Sequence, residues 1–313
     1  MSSDRTAALP ASDCPVCGRP MTGRTHLEGS RIRAAAKYSD CHRRCTVCRV
    51  GYSNATTNPT LIYSDSLSNV PLEVRRDALQ TLHNALNIRC RVPKIRRFGY
   101  STSEDAVTWT VFSFLGQQRP DALPRVVQRL FGLDGSRDTS VLLWGAPITP
   151  GIRGGEVQTA LRGVVVALGE DRRSPSEPDV ILDCGDAGLV VIEVKYLSGN
   201  DHRVQANWSR YVRNTGAFAD PDAAEASGLY ELVRNWRIAH DLAAGRPFAV
   251  VNLAPAGTLA ATPGMEQFKA SLNTSPKHRF SPLTWSAFLA SITAECEGLP
   301  PWFESYLRDR RLP

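Results

Sequence analysis

The stretch from Glu177 to Tyr196 constrains the fold more than any other part of the chain. Val180–Leu182 is apolar, Asp183 to Gly188 is rich in turn formers, and Leu189–Val194 is almost entirely β-branched, so the stretch reads as strand, turn, strand. Side chains alternate across a strand. Glu193 and Lys195 therefore project to one face, and Ile192 and Val194 to the other. Charges on so apolar a strand are costly to bury without partners. Asp179 opens the neighbouring strand, and hairpin pairing brings it to the Glu193 and Lys195 face. Two carboxylates and an ammonium then stand together. A surface ion pair between Glu193 and Lys195 on an edge strand is the plainer alternative, and the apolar residues on both faces argue against it.

Those residue types suit one chemistry. Mg²⁺ takes oxygen ligands, keeps several waters and is held by one or two carboxylates plus substrate phosphate. Asp179 and Glu193 are the candidate magnesium ligands. Lys195 is placed to orient an attacking water and to offset charge developing on phosphate oxygens. Pro178-Asp179, thirteen residues, then Glu193-Val194-Lys195 resembles the PD-(D/E)xK nuclease superfamily, the restriction-endonuclease-like proteins. The resemblance covers about residues 100 to 255. It implies an α/β fold with a mixed sheet flanked by helices, and Mg²⁺- or Mn²⁺-dependent hydrolysis of DNA phosphodiesters, endonucleolytic rather than exonucleolytic. It also implies a glutamate from the first core helix, for which Glu104 and Glu156 are both candidates, and a setting in restriction, phage defence or DNA repair. The residues do not distinguish DNA from RNA. A homodimer is compatible with the resemblance. The rival expectation is a nucleic-acid-binding or partner-recruiting protein whose nuclease fold is idle.

A second feature lies near the N-terminus. Five of the eight cysteines fall between Cys14 and Cys48, which in a chain without secretory features argues for metal rather than disulfides. Cys14-Pro-Val-Cys17 and Cys45-Thr-Val-Cys48 are two Cys-x-x-Cys turns, each with a glycine close behind, and together they predict a tetrahedral structural zinc site. Cys41 and His42 are alternative ligands. The module resembles a zinc ribbon or treble clef, a class that binds nucleic acid or a protein partner.

Charge is uneven. The first fifty residues carry nine Lys/Arg against four acids and the next fifty seven against three, so the first hundred are +9 and the remainder −3. A basic front on a near-neutral body fits attachment to nucleic acid. Arg89 to Arg97 holds five basic residues in nine positions, with Lys94, Arg96 and Arg97 as candidate phosphate contacts. No apolar run is long enough to span a membrane, and no signal-peptide core precedes the cysteines, so a cytoplasmic location is expected.

The organisation expected is a zinc-binding module over 1–60, a helix and basic linker over 61–100, a nuclease core over 101–260, and C-terminal helices over 261–313. Residues 1–12 are expected to be disordered and 52–70 to be linker or short strands. Pro71 opens a helix to about Asn87, and Ser103 caps one running to Leu115. Further helices are expected at 124–131, 156–168, 205–213, 229–242, 282–292 and 302–310. Strands are expected at 140–144 and 247–253. On the 229–242 helix, Tyr230, Arg234 and Arg237 share a face that could meet a phosphate.

Overall fold

The computed structural model describes residues 6–8, 12–21, 25–27, 34–55, 58–134, 139–148, 152–200, 202 and 208–313. The start of the helix expected at Gln205 lies outside them, as does much of the 1–12 segment.

The N-terminal module is built from short strands. β1 (Thr6–Ala8) pairs antiparallel with β4 (Thr25–Leu27), and β2 (Ser12–Asp13) with β3 (Pro20–Met21). Residues 6–8 are thus a strand where disorder is expected. β5 (Arg43–Cys45), β6 (Val50–Tyr52) and β7 (Leu61–Tyr63) form a three-stranded antiparallel sheet. Its small core is Cys14, Met21, Cys45 and Val50. The module therefore runs past residue 60. It is tied to the next segment by Tyr63 N–H donating to the Gly99 carbonyl and Ser101 N–H donating to that of Leu61.

The expected helix from Pro71 is shorter, with a 3₁₀ turn over Leu72–Val74 and α1 over Ala78–Asn84. The basic stretch is not a linker but helix α2 (Arg91–Phe98), with Pro93 in its first turn, where a missing N–H costs nothing. α3 (Glu104–Ser113) starts as expected, with the Ser103 hydroxyl accepting from Ala106 N–H. α4 (Leu123–Phe131) and α5 (Ile152–Ala167) follow, α5 beginning four residues before Glu156.

The core is a six-stranded mixed sheet flanked by helices. Its members are β8 (Ser140–Leu143), β9 (Ala146–Pro147), β10 (Val180–Asp183), β11 (Leu189–Val194), β12 (Phe248–Ala254) and β13 (His278–Thr284), in the order β13-β12-β11-β10-β8-β9. β11, β12 and β13 run parallel, and the β9–β8, β8–β10 and β10–β11 pairs are antiparallel. Strand alternation sorts the apolar side chains. Val190 and Ile192 face one layer with Trp109 and Phe112 of α3. Leu189 and Val191 face the other with Val157 and Leu161 of α5. The first layer is completed by α11 (Trp285–Glu295) and α12 (Pro301–Asp309). The second is completed by α6 (Ser209–Val212), α8 (Tyr230–Ala243) and α10 (Met265–Ser271). α7 (Pro221–Ala226) adds Ala224 to this second layer, and the short helix α9 (Ala256–Ala261) follows β12 in the chain.

The C-terminal stretch is not only helical. β13 takes residues 278–284, and Pro282 is tolerated because β13 is an edge strand. Buried Arg310, just after α12, donates to the carbonyls of Asn69 and Ser101, while its own carbonyl accepts from the Tyr196 hydroxyl at 2.6 Å. Among the described residues no helix is long and apolar enough to cross a membrane.

One glycine fixes the hairpin. Gly188 has φ +126°, and a Cβ there would lie 2.3 Å from the Pro247 carbonyl oxygen. Gly188→Ala is expected to cost about 3 kcal/mol or more, from backbone strain plus the clash. Urea unfolding measures this.

Candidate functional site

Hairpin register builds the site. Val180 pairs with Ile192, so Asp179 stands opposite Glu193, and Val194 N–H donates to Asp179 Oδ2 at 2.8 Å. Glu193 and Lys195 are 4% and 5% exposed. Lys195 Nζ donates to Glu193 Oε1 and to Glu231 Oε2, both at 2.7 Å. Asn235 Nδ2 donates to Glu193 Oε2 at 2.7 Å, and Arg234 lies 3.9 Å from that oxygen. These groups edge a polar cleft of about 240 Å³, whose walls include Glu177, Asp179, Glu193, Glu231 and Arg234.

Electrostatics separate the carboxylates. Burial, then the nearby Glu193 charge, pushes the Asp179 carboxyl well above its usual range. Burial also opposes charge on Glu193, but Lys195, Arg234 and Asn235 outweigh it and hold that carboxyl below its usual value. Burial, then Glu193, raises Glu231. Lys195 stays charged: burial opposes this, but Glu193 and Glu231 raise its pKa.

Asp179→Asn is therefore expected to stabilise the fold by about 0.5–2 kcal/mol at pH 7, the usual size of relief at a strained site. An acid with a raised folded pKa favours folding at low pH and loses that contribution as pH rises through the folded value. The advantage of the variant should accordingly grow from about pH 4 upward, as thermal unfolding across pH would measure.

Other expected residues fall variously. Glu104 reaches the end of the motif strand, its Oε2 accepting from Tyr196 N–H at 2.7 Å and Ser198 Oγ at 2.6 Å, and burial raises its pKa. Glu156 is exposed on α5 and has no place among the cleft walls. Lys94 does not share the surface of Arg96 and Arg97. It turns inward to pair with Glu177 at 2.8 Å and Asp105 at 3.5 Å, over the Trp144 ring. Arg96 and Arg97 are exposed. Tyr230, Arg234 and Arg237 form no common open face: Tyr230 packs on Trp208 and Tyr211, and Arg237 pairs with Asp241.

Glu231 and Asn235 were not expected at the site. Their i, i+4 spacing puts them on one face of α8, which was the available signal. One more residue adjoins Glu193. Asn252 on β12 is its register partner, fully buried, with neither Nδ2 nor Oδ1 hydrogen-bonded to any of the described residues. Such a buried group costs about 1–3 kcal/mol when left unpaired.

The donor set fits Mg²⁺ in a limited way. Among the described residues no three carboxylates converge as the cysteines do. Glu193 has both oxygens engaged, whereas Asp179 Oδ1 takes no hydrogen bond from the described residues. One or two carboxylates with retained waters is the usual magnesium arrangement.

The four sulfurs of Cys14, Cys17, Cys45 and Cys48 lie within 4.8 Å of one another, a set that could hold a metal such as zinc. Zinc–sulfur bonds of about 2.3 Å in a tetrahedron place sulfurs about 3.8 Å apart, and Cys17 and Cys45 are 3.7 Å apart. Cys48 N–H donates to Cys45 Sγ and brings that thiol down to about 7. The two alternative ligands stand apart from the cluster. Cys41 is buried with its thiol toward the Lys37 carbonyl, and His42 N–H donates to Asn54. Gly18 takes the left-handed turn behind the first pair, but Arg49, at φ 55°, takes it behind the second. Gly51 serves a close approach instead, since a Cβ there would meet Cys41 Cβ at 2.7 Å.

No protein-family model, curated protein or solved structure matches the chain.

Proposed function

We propose that the chain is a divalent-metal-dependent nuclease of the PD-(D/E)xK type acting on DNA, with a restriction-endonuclease-like core and a zinc-binding N-terminal module. The observation that carries this is the meeting of Asp179, Glu193 and Lys195 from two adjacent strands at the edge of a polar cleft. Four carboxyl groups, those of Glu177, Asp179, Glu193 and Glu231, line the cleft against one cationic side chain, Arg234, which favours uptake of a cation. Asp179 and Glu193 would hold Mg²⁺ or Mn²⁺, which supplies Lewis acidity toward the phosphate and acidifies a bound water. Lys195 orients the attacking water and offsets charge on the phosphate oxygens as phosphorus–oxygen cleavage proceeds. Arg234 lies at the cleft wall, where it would meet a substrate phosphate, and Arg96 and Arg97, exposed on α2, are further candidate phosphate contacts. A cytoplasmic location and a role in restriction, phage defence or repair go with this reading.

One observation favours the idle-site alternative: both Glu193 oxygens are already hydrogen-bonded, so metal uptake requires one of those contacts to yield. Cleavage of supercoiled plasmid by the full chain, with Mg²⁺ or Mn²⁺ against EDTA and beside Asp179→Asn, separates the two. Metal-dependent nicking lost in the variant supports the nuclease. Salt-dependent DNA binding without nicking in any metal supports the idle fold.

A further inference from the structure

Asn252 is the one polar side chain in β12, whose sequence is Phe-Ala-Val-Val-Asn-Leu-Ala. The other residues of that strand that share its face, Phe248, Val250 and Ala254, are apolar and buried. An apolar residue at 252 would continue that pattern and leave nothing unpaired. The amide has no described hydrogen-bond partner at either end, so packing alone does not account for it.

Register says what it adjoins. β11 and β12 are parallel, and Asn252 is the partner of Glu193. Neighbouring strands lie about 4.8 Å apart, and register partners project to the same face. The amide and the carboxylate therefore stand side by side within the sheet. On the opposite flank the partner is Pro282, which has no N–H to offer. A carboxylate accepts at about four lone-pair positions. Among the described residues the side-chain donors within hydrogen-bond distance of Glu193 are two, Lys195 Nζ and Asn235 Nδ2. Capacity remains for a third.

We propose that Asn252 is a positioning residue for Glu193, its amide N–H reaching the carboxylate across one buried water or, after a small rotation of the side chain, directly. In the ground state this is a third restraint on the carboxylate. When Lys195 or Asn235 gives up an oxygen to an incoming cation, Asn252 keeps the plane of the carboxylate fixed. The placement of Asn252 beside Glu193 stands on strand register alone; its consequence for turnover rests on the nuclease reading.

The test has two parts. The first is a high-resolution crystal structure of the full chain, in chelator and with Mn²⁺. Asn252 bonded to Glu193, or to a single water that also bonds Glu193, is the expected result. An amide satisfied elsewhere, with no link to Glu193, overturns the proposal whatever the chain cleaves. The second part uses Asn252→Leu, with Asn252→Val as the smaller companion should leucine not fit. Either is expected to remain folded and to melt at or somewhat below the wild-type temperature, since one hydrogen bond to a buried carboxylate is lost while an apolar side chain fills the space. Single-turnover cleavage should fall about 10–100-fold, the cost of losing a residue that orients a metal ligand, with DNA affinity unchanged. Full-speed cleavage by a folded variant overturns the positioning role. A wild type that cleaves nothing removes the nuclease reading instead, and the crystallographic link then decides the Asn252 contact by itself.

Discussion

If the chain is the nuclease proposed, Lys195→Met is expected to lower single-turnover DNA cleavage by about 10²–10⁴-fold, the range for removing a preorganised charge or proton donor beside a reacting phosphate. It is also expected to destabilise the fold. Lys195 bridges Glu193 and Glu231, and both lysine and Glu193 are almost fully buried. Removing one partner of a buried ionic set costs about 3–5 kcal/mol, chiefly from the charges left behind. The pH dependence follows from the directions of the shifts. In the wild type the lowered Glu193 pKa contributes stability above the ordinary glutamate value of about 4.3, and loses it as pH falls through the folded value. The lysine contribution, with its pKa raised, is present throughout neutral pH and fades only in strong alkali. The variant keeps the burial of Glu193 without its main cation, so its carboxyl rises and the variant gains relative stability on acidification. The gap between the two proteins should be wide at pH 7 and narrow toward pH 4. Urea titrations at both values measure it. An unchanged gap would mean that Glu193 does not depend on the lysine.

Cys45→Ser should empty the N-terminal module of metal. The Cys48 N–H makes Cys45 readily ionised near neutral pH, and thiolate is the form that binds. Serine supplies neither the charge nor the soft donor. Metal content by mass spectrometry should fall from about one equivalent per chain to near none, with affinity lost by more than the 10–100-fold that an outer-shell partner contributes. The module has only a handful of buried apolar residues, so it should become protease-sensitive, as other metal-dependent small folds do. The sheet domain should survive, since its two core layers do not include the module. A strong chelator should reproduce the variant. A full equivalent retained by Cys45→Ser would remove Cys45 from the ligand set.

The hairpin was legible because local signals agreed there: a β-branched run, a turn rich in aspartate and glycine, and charges in alternation. The two Cys-x-x-Cys pairs were legible because metal ligation imposes spacing. Ser103 was legible as a cap because capping is local. The failures share one cause, which is dependence on distant contacts. Residues 278–284 carry histidine, arginine and Pro282, and only parallel pairing with β12 makes them a strand. Residues 91–98 look like a basic loop until Lys94 finds Glu177 and Asp105. Glu231 and Asn235 join the site because of how α8 docks on β11, an angle that no local pattern encodes. The choice between Glu104 and Glu156 likewise depended on which helix lies across the strand end.

The buried Arg310 joint has a consequence for the order in which the molecule matures. It links Arg310, more than a hundred residues after the hairpin, to Asn69, Ser101 and Tyr196, the residue next to Lys195. A chain emerging from the ribosome N-terminus first holds Asp179, Glu193 and Lys195 long before it holds Arg310. Contacts across so long a span form late. The Asp179–Lys195 hairpin is therefore made early and secured only once α12 and Arg310 have been added, so a product truncated before them carries the motif without the residue that locks it in place.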